Sequence, residues 1–168
     1  MNNIFGETYC GKRVLITGHT GFKGSWLTVW LLKLGAKVLA FSDQIPTNPS
    51  MFEVLGLKNR IEHHLADVRD ATAVARLIEA SKPDFIFHLA AQAIVSTSYC
   101  EPLDTISTNV MGTANILDAL RHVRHPCTAV FITSDKCYEN VEWPWGYKET
   151  DHLGGRDVYS GSKGAAEV

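Results

Sequence analysis

Tyr159 and Lys163 stand four residues apart in the run Tyr159-Ser160-Gly161-Ser162-Lys163. On a helix that spacing puts both side chains on one face. An ammonium beside a phenol favours phenolate, so the tyrosine becomes a base usable near neutral pH. Twenty-five residues earlier, Thr133-Ser134-Asp135-Lys136 follows an apolar run and presents hydroxyl, carboxylate and ammonium groups to the same place.

A second constellation lies near the start, in Thr17-Gly18-His19-Thr20-Gly21-Phe22-Lys23-Gly24. Gly18, Gly21 and Gly24 permit a tight turn and let backbone amides approach a pyrophosphate, and the helix that follows adds partial positive charge. Thr20, Phe22 and Lys23 fall inside this loop. Asp43 comes 19 residues after Gly24, where a carboxylate accepts hydrogen bonds from an adenosine ribose and repels a 2′-phosphate, which favours NAD over NADP. Ser42 or Gln44 could take that role, and Lys23 lies close enough to a phosphate to blur the choice. Asp67, with Val68 after it, reads either as a partner for the adenine amino group or as a helix N-cap. Leu89, Ala90, Ala91 and Gln92 follow the next strand and could line the cofactor's path.

The elements needed to position these groups are legible. Apolar runs alternate with helical periodicity, the pattern of repeated βα units and a parallel sheet covered on both faces. Strands are expected at Val14 to Thr17, Lys37 to Phe41, His63 to Ala66, Phe85 to Leu89 and Val130 to Thr133. A helix from Phe22 to Leu34 is expected to turn Trp26, Leu27, Trp30, Leu31 and Leu34 inward and to end at Gly35. A second, Ala71 to Ala80, buries Val74, Leu77 and Ile78. A third starts at Pro102 and runs to about His122 with the stripe Ile106, Val110, Leu117 and Leu120. Glu139 to Asp157, with Trp143, Trp145, Gly154 and Gly155, has no period and reads as a long functional loop. Helical sequence resumes at Tyr159 and runs to the last residue, which suggests a fragment.

Composition narrows the classes. With 168 residues, 45% hydrophobic and 20% charged, one soluble globular domain is expected. A net charge of -2 gives no electrostatic reason for nucleic acid or an anionic membrane as partner. Cys10, Cys100, Cys127 and Cys137 form no CxxC pair, so no metal site is expected and reduced thiols in a cytoplasm fit best. The N-terminal MNNIFGETYCGKR lacks the apolar core of a signal peptide.

Four ordered motifs, TGxxGxxG at Thr17 to Gly24, HLAAQ at His88 to Gln92, TNVMGT at Thr108 to Thr113 and YxxxK at Tyr159 to Lys163, resemble the extended short-chain dehydrogenase/reductase family. The resemblance implies an α/β Rossmann-type, doubly wound parallel sheet, truncated before the last strands and the substrate domain. Residues 1–168 would then be an incomplete NAD(P)-binding domain. Within the family, GHTGFKGSWL and TSDKCYEN look like the CDP-glucose-dependent nucleotide-sugar 4,6-dehydratases, in which Lys136 stands where dTDP-dependent relatives have glutamate.

That branch implies NAD recycled within each turnover and CDP-glucose as the nucleotide-sugar substrate. Tyr159 would deprotonate the 4-hydroxyl, Ser134 would hold that oxygen and Lys163 would tune the phenol. Asp135 would protonate the departing 6-hydroxyl, while Lys136 would act as the C5 base or only orient. Asn109 would have a cofactor-side structural or proton-relay role. The alternatives are an enzyme like the UDP-sugar 4-epimerases, which has no need of Asp135, and a non-catalytic NAD-binding fragment. The family also implies a homo-oligomer and a distal half that holds most of the sugar pocket, so the isolated 168 residues are expected to turn over little.

Overall fold

The computed structural model describes residues 4–168; residues 1–3, which begin the polar N-terminal stretch, lie outside the described residues. Five parallel strands form one sheet: β1 (Arg13–Thr17), β2 (Lys37–Ser42), β3 (Glu62–Leu65), β4 (Phe85–His88) and β5 (Thr128–Phe131), in the order β3-β2-β1-β4-β5. The chain therefore reverses its direction of travel between β1 and β4, and a crevice opens there at the carboxyl ends of the strands. The Rossmann-type α/β class expected from the sequence is the one observed.

Two cores sit on opposite faces because side chains alternate along each strand. Leu15, Leu39, Phe41 and Ile86 pack against α3 (Ala71–Ser81) and α6 (Gly112–Leu120). Val14, Ile16, Val38 and Ala40 pack against Leu31 of α1 (Phe22–Lys33). Helix α3 buries Val74 and Ile78 as its period predicts, and Gly35 takes φ +81° to end α1.

The inward face of α1 differs from the expected one. Gly24, Ser25, Thr28 and Leu31 are buried, whereas Trp26 and Trp30 are 56% and 50% exposed. The reason is close approach: a Cβ on Gly24 would lie 2.2 Å from the Gly18 carbonyl oxygen, so only small residues fit against the glycine loop and the tryptophans rotate outward. Trp30 instead meets Phe5 with ring centroids 5.6 Å apart.

The helix expected over 102–122 is three segments, α5 (Pro102–Ile106), a π-helical turn (Ser107–Met111) and α6. Its buried stripe is Thr105, Asn109, Thr113, Ile116 and Ala119, while Ile106 and Leu117 are exposed. The extra residue of the π turn shifts the register, and polar groups face inward because this stretch packs on the site. Two short helices were absent from the sequence reading, α2 (Met51–Val54) and α4 (Val95–Cys100). Strand β5 starts and ends two residues before its expected limits, since its partner β4 stops at His88. The last helix, α7 (Val158–Ala165), closes with Ala166 as its C-cap rather than running to the final residue. Among the described residues no helix is long and apolar enough to cross a membrane.

Candidate active site

The glycine loop joins β1 to α1 at the sheet's central crevice. Gly18 has φ +72°, and a Cβ there would lie 2.7 Å from the Ala90 amide nitrogen; β1 and β4 thus deliver the loop and the Leu89–Gln92 segment into contact. Thr20 donates to the Gln44 carbonyl at 2.7 Å, which ties the loop to the segment after β2. Phe22 and Lys23 are exposed at the start of α1.

Sequence reasoning missed His19. It is fully buried inside the loop, with Nε2 2.8 Å from His63 Nδ1, Nδ1 3.1 Å from Ser42 Oγ, and its ring edge-on to Phe52. Burial pushes it down to about 4, the Phe41 backbone opposes, and His63 adds to the lowering. Only a neutral imidazole belongs there. The signal was a histidine between the first two loop glycines, which carries meaning only once β3 brings His63 beside it.

At the other side of the crevice α7 presents Tyr159 and Lys163, 8% and 6% exposed. The Lys163 ammonium lies 5.9 Å from the Tyr159 ring centroid. Burial lowers its pKa, and the ammonium of Lys23 lowers it further. Neither lysine makes an ion pair among the described residues. Glycine-loop amides at a helix start, with the Lys23 ammonium in the same loop, suit a pyrophosphate. The Asp157 carboxylate fixes this helix by accepting from Ser160 N at 2.9 Å and Ser160 Oγ at 2.7 Å. Close packing does the rest: a Cβ on Gly164 would lie 2.8 Å from Gly154 N, so the paired glycines of the long loop admit α7.

Ser134, Asp135 and Lys136 sit on a 3-10 turn (Asp135–Cys137) packed against α7. The Ser134 hydroxyl donates to Asp135 Oδ1 at 2.9 Å, and Lys136 Nζ is 3.7 Å from Asp135 Oδ2. The Ser134 hydrogen bond, with help from Lys136, holds the Asp135 carboxyl below its usual range despite some desolvation. In this arrangement Asp135 is a carboxylate. Beside it opens a cleft of about 800 Å³ lined by Lys136, Tyr138, Asn140, Arg156, Asp157 and Ser160, next to the turn and not over the glycine loop. Thr133 donates to Glu167 Oε1 at 2.5 Å.

Asp43, Asp67 and Ala90 follow the carboxyl ends of β2, β3 and β4, as expected of cofactor residues. Asp43 is exposed directly after β2, at the correct sheet edge. Asp67 accepts from the Arg69 backbone at 2.8 Å and pairs with its guanidinium, which holds its carboxyl low; the N-cap of α3 is Asp70, accepting from Ala73 N at 3.0 Å. Val68 is buried against Gly112. Ala90 and Ala91 are half-buried beyond β4. The Gln92 side chain is spent on Ile94 and Thr105, and Asn109 clamps the Gln92 backbone through N to Oδ1 at 2.8 Å and Nδ2 to O at 3.0 Å.

The family described as GDP-mannose 4,6 dehydratase matches residues 15–168. CDP-glucose 4,6-dehydratase of Salmonella typhimurium is 50% identical over 158 residues, covering 94% of this chain and 44% of that protein. CDP-paratose 2-epimerase of Salmonella typhi is 31% identical, covering 92% and 51%. Among solved structures, Thermus thermophilus UDP-glucose 4-epimerase in complex with NAD has a TM-score of 0.79 at 28% identity, covering 92% of this chain and 48% of that one. The chain spans about half the length of these relatives. With the crevice, the glycine loop and the tyrosine–lysine helix matched over nearly all of its length, the chain belongs to the GDP-mannose 4,6-dehydratase family of nucleotide-sugar enzymes.

Proposed function

We propose that this chain is the cofactor-binding part of a CDP-glucose 4,6-dehydratase, a hydro-lyase that converts CDP-glucose to CDP-4-keto-6-deoxyglucose and water. The observation that carries the reading is Asp135, a carboxylate on the turn beside Ser134 and packed against the helix of Tyr159 and Lys163. An epimerase has no water to expel and needs no acid there. The 50% identity to a CDP-glucose 4,6-dehydratase supports the choice of nucleotide.

The residues fit NAD. The amides of Gly18 to Gly24, with Lys23, would hold the pyrophosphate, Asp43 would accept from the adenosine ribose, and Lys163 would reach the ribose beside Tyr159. Bound NAD supplies a two-electron oxidant for C4 and, once reduced, the reductant for C6.

Tyr159 removes the proton from the 4-hydroxyl, and its phenolate is favoured by the Lys163 ammonium. The Ser134 hydroxyl turns from Asp135 to the sugar O4. The 4-ketone acidifies the C5 proton. Asp135 must then carry a proton to the 6-hydroxyl, which requires the bound sugar to displace Ser134 and water from its carboxylate. Lys136 lies 3.7 Å from Asp135, and a lysine acts as base only when desolvated or beside another cation; covered by the bound sugar, the Lys136 ammonium passes its proton to Asp135, the resulting amine takes the C5 proton, and Asp135 gives its proton to the 6-hydroxyl, which leaves as water.

The test is an assay of the full chain with CDP-, dTDP- and UDP-glucose, following the absorbance of the 4-keto product. CDP-glucose is expected to be preferred. Preference for another nucleotide overturns the base assignment, and epimerised sugar without water loss overturns the reaction.

A further inference from the structure

His88, the last residue of β4, is 3% exposed and both of its ring nitrogens are engaged. Nδ1 lies 2.7 Å from Thr17 Oγ1, and Nε2 lies 3.3 Å from Thr113 Oγ1. The proton positions follow from counting. Thr17 Oγ1 already accepts from Ala90 N at 3.0 Å and from Leu89 N at 3.2 Å, the latter shared with the Thr17 carbonyl, so its single proton points at His88 Nδ1, which is then bare. Thr113 spends its own proton on the Asn109 carbonyl at 2.7 Å, so it can only accept from His88, and Nε2 must carry the hydrogen. Two independent neighbours select the same tautomer.

The chain of donors continues in one direction. Asn109 Nδ2 donates to Ser162 Oγ at 2.9 Å, and Ser162 Oγ donates to the Tyr159 carbonyl at 2.7 Å. Thr17 immediately precedes Gly18, so the path runs from the foot of the glycine loop to the backbone of the tyrosine. Each hydroxyl on it donates once, and polarised chains of this kind strengthen their members.

We propose that His88 is a positioning residue: locked as the neutral Nε2–H tautomer, it registers the pyrophosphate-loop strand against the helix that carries Tyr159. A second proton on the ring would sit against the Thr17 hydroxyl hydrogen. The groups around the imidazole are Thr17, Thr113, the Phe131 ring at 5.5 Å and the Lys163 ammonium, none of them an anion that would balance a histidinium. Burial, with Lys163, pushes its pKa down to about 4.

The test has two parts in the full chain with NAD. Long-range proton–nitrogen spectra of ¹⁵N-histidine protein at pH 7 are expected to show a bare Nδ1 and a protonated Nε2 for His88, identified by its contacts to Phe131. An Nδ1–H form or an imidazolium overturns the proposal. Thr113→Val removes the acceptor without touching the binding groups. It is expected to lower kcat about tenfold, the scale of one buried hydrogen bond, with KM for the sugar nucleotide unchanged and Thr113→Ser restoring the rate. An unchanged kcat, or a loss carried by KM alone, counts against positioning. The kinetic part rests on the dehydratase reading, whereas the tautomer is measured without turnover and stands or falls separately.

Discussion

In the proposed reaction Tyr159 takes the proton of the sugar 4-hydroxyl, and the Lys163 ammonium lies 5.9 Å from its ring centroid, one helical turn away. Tyr159→Phe should therefore cut kcat by at least ~10²-fold, the usual worth of a positioned base, while NAD affinity measured by calorimetry stays within about threefold, since the pyrophosphate contacts lie elsewhere. The pair was legible because its spacing alone places both groups. The contacts of Asp67, Val68 and Gln92 were not, because Arg69, Gly112 and Thr105 meet them only after folding. His19 and His88 were invisible as buried groups for the same reason. Both have folded pKa values near 4, below the ordinary 6.5. Between those limits the unfolded chain binds protons that the native state refuses, so stability is full above pH 6.5 and falls as pH drops toward 4. Thermal melts from pH 7 to pH 5 should show Tm decreasing, and His63→Phe, which leaves His19 without its imidazole partner, should lower Tm at pH 7. A Tm that rises on acidification contradicts this account.

Helices and strands place these groups, and their sequence signals were uneven. β1, β2 and α3 were read almost to the residue because each buries one apolar period. α1 was read with Leu27 and Leu31 rightly inward but its tryptophans wrongly so: apolar content pointed to Trp26 and Trp30, whereas at the glycine loop the helix buries Gly24, Ser25 and Thr28. Gly24→Ala should consequently weaken NAD binding by tenfold or more, since its Cβ would force Gly18 and His19 apart. Equilibrium titration checks this, and unchanged affinity would count against the loop as the pyrophosphate site. Asp157 is the N-cap of α7. Asp157→Ala should cost about 1 kcal/mol of stability and lower kcat with it, as the helix start that holds Tyr159 loosens; denaturant melts alongside turnover separate the two effects.

Across the whole molecule the order β3-β2-β1-β4-β5 opens a crevice between β1 and β4, and the groups assigned to cofactor or sugar come from the segments that follow β1, β2, β4 and β5 at the carboxyl edge of the sheet and from α7. This much followed from the βα alternation. The outer surface did not, because exposed apolar residues carry no periodic mark of their own. Leu103 is 84% exposed, Tyr99 67% and Met111 52% between α4 and α6, a run that would be covered in the homo-oligomer the family resemblance implies. Leu103→Glu should shift the full chain toward monomer in sedimentation, and an unchanged distribution removes this face from the interface.

The measurement closest to the central claim follows CDP-glucose through the full chain with NAD in deuterium oxide. In the proposed reaction a proton leaves C5, water leaves C6 and the cofactor is regenerated, so the product should be CDP-4-keto-6-deoxyglucose carrying solvent deuterium at C5, with no net NADH. CDP-galactose with an intact 6-hydroxyl and no deuterium at C5 would contradict it.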